Sequence, residues 1–277
     1  MKTEIIQQTY KLAKAAREKH EEEISEAYKF TRPNRDIWRN REAQTDRTKI
    51  FDSTAPDSVQ NLVSTILNLL IPQNQQWANL SVREDVKEEV ASDIKRQLDR
   101  ANRTVFKTIR DSNFYIAASE SLTDAVISGC GAIGMYETEN DIEFIGIPTY
   151  QLYFLDNYKG DVDCVFREHQ VTAQYLFENY KNLPDTIKKA ATEAPQTMIP
   201  ITENCMRATG DEDFTYTVMV GKELVPIFQK KMKTQMFVVF RFGRTIGEVW
   251  GESPTRMALP YIRTSKLTVR QQLTSQT

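Results

Sequence analysis

The hydrophobic period of this chain switches from helical to alternating at Gly129-Cys-Gly131, and that change restricts the fold more than any other feature. Ahead of it, apolar residues recur every three or four positions; behind it, they alternate. Helices followed by strands, with no βα alternation, specify an α+β fold with an antiparallel sheet. A last helical pattern begins at Ser253-Pro254.

Residues 3–29 read as a charged helix with a thin stripe of Ile5, Leu12, Ala16, Ile24 and Ala27, too narrow to anchor a core alone. Asp52-Ser-Thr-Ala-Pro56 supplies capping hydroxyls and a first-turn proline. The residues after it (Val59, Leu62, Val63, Ile66, Leu67, Leu69 and Leu70) make that helix apolar on most sides. It is expected at the centre of the core, with Pro72 ending it. Ser81-Val-Arg-Glu84 has capping-box spacing and opens a helix to about Asp111. Its stripe is Val86, Val90, Ile94, Leu98, Ala101, Val105 and Ile109. At roughly 1.5 Å per residue it spans about 40 Å, a strut as much as a core element. A shorter helix runs from about Tyr115 and stops at Gly129.

Beyond Gly131, residues 132–136, 142–147, 151–155 and 162–169 read as strands, separated by the turns Glu139-Asn-Asp and Asp156-Asn-Tyr-Lys-Gly-Asp. Thr172 caps a short helix over 173–179, Pro184-Asp185 starts another, and 194–210 reads as a loop. Residues 214–220, 224–228 and 235–242 return to strands. Three parts follow: a helical part over 1–130, a β-rich part over 131–250 and a helix start over 251–277.

With 277 residues, 40% hydrophobic and 27% charged, the chain suits one large globular domain or two modest ones. No apolar run reaches membrane-spanning length and the first residues lack a signal-peptide core, so a cytoplasmic protein with no membrane partner is expected. Cys130, Cys164 and Cys205 are scattered, and only His20 and His169 accompany them. That set implies reduced thiols and no zinc site. The net charge of -2 argues against a chain built wholly to grip nucleic acid. From Lys222 onward, however, ten Lys/Arg face three acids, whereas 137–213 is acidic. Such polarity fits surfaces that meet an oppositely charged partner, including another copy; two solvated faces that merely differ fit it equally well.

Catalytic signatures are few. The sequence has neither a phosphate loop nor a nucleophile elbow. Gly129-Cys-Gly-Ala-Ile-Gly134 joins a helix to a strand, the reverse of the order that dinucleotide binding needs, and reads as close packing of helix on sheet. Asp156, Asp161 and Asp163 could gather around a divalent ion for nucleic-acid chemistry, though carboxylates in a glycine-containing turn ordinarily serve the turn. Arg35, Trp38 and Arg39, within an arginine-rich arm, have a pattern that can grip phosphates and stack on bases, but with so modest a net charge the reading favoured is a protein interface, where these side chains are enriched. Gly243, Gly247 and Gly251 permit tight turns around Trp250. No cofactor or metal is expected.

Four blocks, in order, resemble the portal (head-to-tail connector) proteins of short-tailed, podovirus-type bacteriophages. Phe51-Asp-Ser-Thr-Ala-Pro with its apolar helix, running into Leu70-Ile-Pro-Gln-Asn-Gln-Gln-Trp-Ala-Asn-Leu80, is similar to that family's helix, proline and tryptophan block. Gly129-Cys-Gly-Ala-Ile resembles its glycine-rich joint, with Cys130 where asparagine is frequent. Ile147-Pro to Asp161-Val-Asp resembles its strand and turn. Arg241 to Leu259 resembles its signature ahead of the stem helix, with Trp250 in the usual place of tyrosine. The resemblance implies a non-enzymatic structural subunit, 1–130 and 131–250 forming the wing and 251–277 the opening of the stem. Family members continue beyond the counterpart of Thr277, so a truncated portal is implied. It further implies a ring of identical copies, typically twelve, at a capsid vertex of the virion, assembled in the host cytoplasm. Terminase, scaffold, capsid and tail adaptor proteins would be its partners, with duplex DNA passing through without sequence specificity. Arg241, Gly247, Glu248, Trp250, Gly251 and Pro254 would form the wing–stem junction. Arg35, Trp38, Arg39, Lys230, Lys231 and Lys233 are the candidates for subunit contacts. The alternative readings are a metal-dependent nucleic-acid enzyme using the Asp156/Asp161/Asp163 turn and a truncated portal fragment that caps ring growth without forming a ring.

Overall fold

Gly129 holds a left-handed φ of +96° and stops one helix where the next residue begins a strand, so the period switch is a real boundary. The computed structural model describes residues 3–32, 52–82, 88–138, 142–207 and 212–275, and of 88–91 only the backbone. Helices α1 (Thr3–Thr31), α2 (Thr54–Leu70), α3 (Glu88–Asp111) and α4 (Phe114–Ser128) come first. Strands β1 (Cys130–Glu137), β2 (Ile142–Gly146), β3 (Leu152–Asp156) and β4 (Val162–Thr172) follow. Then come α5 (Ala173–Asn179), α6 (Asp185–Glu193), β5 (Met198–Arg207), β6 (Phe214–Val220), β7 (Val225–Met232), β8 (Phe237–Arg241) and α7 (Pro254–Ser275). The fold is α+β.

Among the described residues the strands form two antiparallel sheets, ordered β2-β1-β8 and β3-β4-β5-β6-β7. The larger sheet is covered on both faces. Tyr153, Cys164, Phe166, Met206 and Met219 turn toward Ile6, Tyr10 and Ala13 of α1. Their alternating neighbours Phe154, Val165, Cys205 and Val218 join the main core with β1, β8, α2 and α4. Double burial explains why β6 is buried along its whole length. Helix α4 lies on β1 and β2, and Gly131 admits it so closely that a Cβ there would sit 2.3 Å from the Ser121 carbonyl oxygen.

Four expectations need correction. Of the residues 194–210 read as a loop, 198–207 are instead strand β5, the middle strand of the larger sheet, and 208–210 lie outside the described residues. Glu203 and Asn204 mask its pattern, yet both are buried and bonded. The Tyr216 hydroxyl donates to Glu203 Oε1 at 2.6 Å, the Tyr136 hydroxyl donates to Oε2 at 3.0 Å, and Arg167 Nη1 lies 3.3 Å from Oε2. The stripe of α1 is out of phase in its first half: Ile5 and Leu12 are exposed while Ile6, Tyr10, Ala13 and Arg17 are buried. Arg17 is accommodated because its guanidinium lies 3.8 Å over the Tyr153 ring and donates to Tyr150 O at 3.0 Å. Helix α2 is not a fully enclosed core helix; Val59 and Val63 are buried, but Leu69 and Leu70 face solvent. On α3, Asn102 and Phe106 are buried in place of Val105. Asn102 clamps the Leu80 backbone at both N–H (2.8 Å) and carbonyl (3.1 Å), and Phe106 meets Trp77 with centroids 5.3 Å apart. Arg83, Glu84 and the 139–141 turn lie outside the described residues. The cap of α5 is as read, Thr172 accepting from Tyr175 N.

Glu203 therefore ties β1 to the larger sheet through Tyr136, and its loss would strand the Arg167 guanidinium. Glu203→Ala is expected to destabilise the protein by about 3–5 kcal/mol in urea unfolding. Nearby, burial and then Arg167 push the His169 imidazole down from 6.5 to about 3, and its Nδ1 is 3.7 Å from Glu203, beyond hydrogen-bond reach. A base whose folded pKa is depressed binds fewer protons when folded, so stability is full above about 6.5 and falls as pH drops toward 3. Urea midpoints should therefore decline below that pH in the wild type and decline less in His169→Gln.

Candidate functional site

The root of α7 is held by buried polar contacts between segments far apart in sequence. It begins where β8 leaves the small sheet. Gly243 and Glu252 form an antiparallel bridge (Glu252 N to Gly243 O, 2.9 Å) that closes the intervening loop. At the loop's tip, Glu248 N donates to Thr245 O at 3.2 Å, with Ile246 and Gly247 as the central residues. Gly247 has φ +87°, the third-position value of a type II turn.

Gly251 then passes against the end of α4. A Cβ on Gly251 would lie 2.3 Å from Gly129 O, and one on Gly129 would lie 2.1 Å from Gly251 O. No side chain fits on either residue, so two glycines far apart in sequence depend on each other. Gly251 N donates to Cys130 Sγ at 3.2 Å, and burial pushes that thiol up to about 12. Trp250, 2% exposed, inserts beside Phe154 with ring centroids 5.0 Å apart.

Ser253 links two helix ends. Its hydroxyl lies 2.8 Å from Val126 O and 2.7 Å from Ile127 O, carbonyls in the last turn of α4. The same oxygen accepts from Arg256 N at 3.1 Å, capping the start of α7, where Pro254 occupies the first helical position. One buried hydroxyl therefore serves the C-terminus of α4 and the N-terminus of α7.

Arginines fasten the surroundings. Arg241 Nη1 donates to Asp156 Oδ2 at 2.9 Å and to Val249 O at 3.1 Å, while its Nη2 reaches Gly160 O. Arg244 Nη2 donates to Lys159 O at 3.2 Å. The β3–β4 turn is thus strapped to the loop ahead of α7. On the other side, Arg256 Nη2 is 2.6 Å from Glu23 Oε2 and 3.1 Å from His20 Nδ1, and His20 Nε2 is 3.5 Å from Glu248 Oε2. Burial, then the Arg256 guanidinium, holds the His20 imidazole below its usual range. Arg263 pairs with Glu26 one helical stretch further along. Through these pairs α7 is laid along α1.

Of the residues singled out from sequence, Arg241, Gly247, Glu248, Trp250, Gly251 and Pro254 fall within this constellation. Lys230 and Lys231 sit apart from it on β7, an edge strand, with Lys233 just beyond, all exposed. Arg35, Trp38 and Arg39 lie outside the described residues. The aspartate turn is engaged internally: Asp156 receives Arg241, and Asp163 Oδ2 accepts from Asn157 Nδ2 at 3.1 Å. Among the described residues no group of three or more His, Cys, Asp or Glu is placed to hold a metal ion. Ser253, Cys130, His20 and Arg256 were not anticipated as members of the site. Their partners lie more than 100 residues away, so only the Ser253-Pro254 capping pattern was visible locally.

The arrangement supplies a rigid joint, with no nucleophile poised beside a base. Ser253→Ala should cost about 2 kcal/mol, from a lost cap and two carbonyls left bare. Gly251→Ala should cost about 1–3 kcal/mol by overpacking and should speed proteolysis within 242–253; unchanged urea midpoints for both would contradict this account of the joint.

Compared with known proteins, the chain matches a family model described as bacteriophage head to tail connecting protein, over residues 3–277. No curated protein matches it.

Proposed function

The chain belongs to the bacteriophage head-to-tail connecting protein family, a structural and virion-associated group, and we propose that it acts as a portal subunit. In this reading identical copies form a ring, typically of twelve, at one capsid vertex. Duplex DNA passes through the ring during packaging and ejection, held without sequence specificity. The ring docks the terminase motor first and a tail adaptor later, with scaffold and capsid proteins around it. It is assembled in the host cytoplasm and works without catalysis.

The observation that carries the reading is the family match across 3–277. The joint at α7 supports it in a physical way. A portal must transmit force between its DNA-facing helices and its outer body, and a helix rooted by Ser253, Gly251 and Trp250 resists bending at its base. Residues 1–130 and 131–250 then form the wing, and 251–277 the opening of the stem. Arg241, Gly247, Glu248, Trp250, Gly251 and Pro254 make the wing–stem junction. Lys230, Lys231 and Lys233 offer a basic edge for the acidic face of a neighbouring copy, and Arg35, Trp38 and Arg39 belong to the same subunit contacts.

Electron microscopy of the purified chain in negative stain tests the proposal: rings with a central hole are expected, and uniform monomers at high concentration would overturn it. Reversing Lys230, Lys231 and Lys233 to glutamate together should lower the assembled fraction seen by light scattering. An unchanged fraction would remove these lysines from the seam.

A further inference from the structure

Five cations of α3 fall in step: Arg96, Arg100, Arg103, Lys107 and Arg110, each three or four residues from the next and all exposed. At 3.6 residues per turn they share about one quarter of the helix circumference, opposite the stripe of Ile94, Leu98, Ala101 and Ile109. The body holds α3 by Asn102 on the Leu80 backbone and by Phe106 against Trp77, which leaves the row turned to solvent.

Acids do not answer this row. Asp93 Oδ1 lies 3.4 Å from Arg96 Nη2, but among the described residues Arg100, Arg103, Lys107 and Arg110 form no ion pair. Asp99 and Asp111 flank the row on its two margins, and the remaining acids of α3, Glu88 and Glu89, stand in its first turn. By sequence, 33–51 holds five Lys/Arg against three acids and 83–87 two against two, so neither segment carries a net negative charge. The helix dipole favours cations only across the last turn, which accounts for Arg110 and not for Arg100 or Arg103. Like charges three and four residues apart repel, so the row weakens the helix that carries it. Folding gives no reason for it.

We propose that the outer face of α3 binds the phosphate backbone of double-stranded nucleic acid without reading its bases. Three of the four cations without an ion pair are arginines, whose planar fork matches phosphate oxygens. From Arg100 to Arg110 the row is about 15 Å long, and a duplex presents about nine phosphate charges over that length. No exposed apolar side chain interrupts the row, whose exposed neighbours are Gln97, Asp99, Thr104 and Asp111. A protein partner would need an apolar or aromatic anchor at the centre of such a face. The chain as a whole carries a net charge of -2, yet salt confines the field of each charge to about 8–10 Å, so the row acts locally. In the portal reading this is a contact on the wing, on a different helix from the one that opens the stem. It requires only the folded chain, so its failure and the failure of the ring are seen separately.

The test is fluorescence anisotropy of the full chain with a labelled duplex DNA of mixed sequence, over a salt series from about 50 to 200 mM. The wild type should bind, and its affinity should fall steeply as salt rises. The variant Arg100→Gln/Arg103→Gln/Lys107→Gln keeps good helix formers at exposed positions, and circular dichroism checks its fold. It should bind about 10-fold or more weakly at the lowest salt and lose roughly 2 to 3 units of salt slope, about 0.9 per phosphate contact. If it fails to fold, Arg103→Gln alone replaces it, with a slope loss of about one. The control Lys181→Gln/Lys188→Gln/Lys189→Gln removes the same charge at exposed positions around α6 and should leave the slope unchanged. No binding by the wild type at the lowest salt, an unchanged slope in the α3 variant, or an equal loss in the control would each overturn the contact. So would a poly-glutamate peptide that competes, charge for charge, as well as unlabelled duplex, an outcome that assigns the row to an acidic protein face.

Discussion

The backbone of Gly251 lies against that of Gly129 with no room for a Cβ on either side, and much of the structure is organised around that approach. It brings Ser253 within reach of the α4 carbonyls, places Gly251 N on the Cys130 thiol and turns Trp250 inward onto Phe154. Each of these contacts joins segments more than 90 residues apart in sequence. A helix rooted in this way takes its direction from the body, because its first turn shares a hydroxyl with another helix's last turn.

A second set of contacts makes the body stiff enough to hold the root. Glu203, Arg167, Tyr136 and Tyr216 link the small sheet to the large one inside a region with little water. Buried polar groups of this kind are stable only when fully partnered, and their geometry allows little sliding of one sheet over the other. Sheet-to-sheet register and helix root are therefore fixed by different chemistry. Hydrogen bonds to a buried carboxyl set the first, and glycine-permitted backbone contact sets the second.

Much of the fold is written in local pattern. The helix starts at Thr54, with Pro56 in its first turn, and at Pro254, the stop at Gly129, the cap at Thr172 and the alternating sequence of β1 to β4 are short-range effects, legible because neighbouring residues decide them. Strand β5 was not legible, because Glu203 and Asn204 look like loop residues until their partners from other strands are known. The phase of α1 was ambiguous for a similar reason. Ile5 and Ile6 are adjacent, and the face that turns inward is selected by packing of Ile6, Tyr10 and Ala13 on the larger sheet together with the stacking of Arg17 on Tyr153. The exposure of α2 was invisible as well, since apolar composition says what can be buried and not how much cover is available.

For the site, the sequence marked a compact run from Arg241 to Pro254 and the glycines within it. It could not reveal that Arg241 answers Asp156, that Gly251 requires Gly129, or that Ser253 serves α4 as well as α7. The sequence by itself determined the order of helices and strands apart from β5, most of their punctuation and the membership of the family, because propensity, capping and motif spacing are properties of neighbours along the chain. The tertiary structure alone decided which polar residues are buried with partners and which apolar residues are left in the open. Those outcomes depend on surfaces that meet only after the chain has folded back on itself.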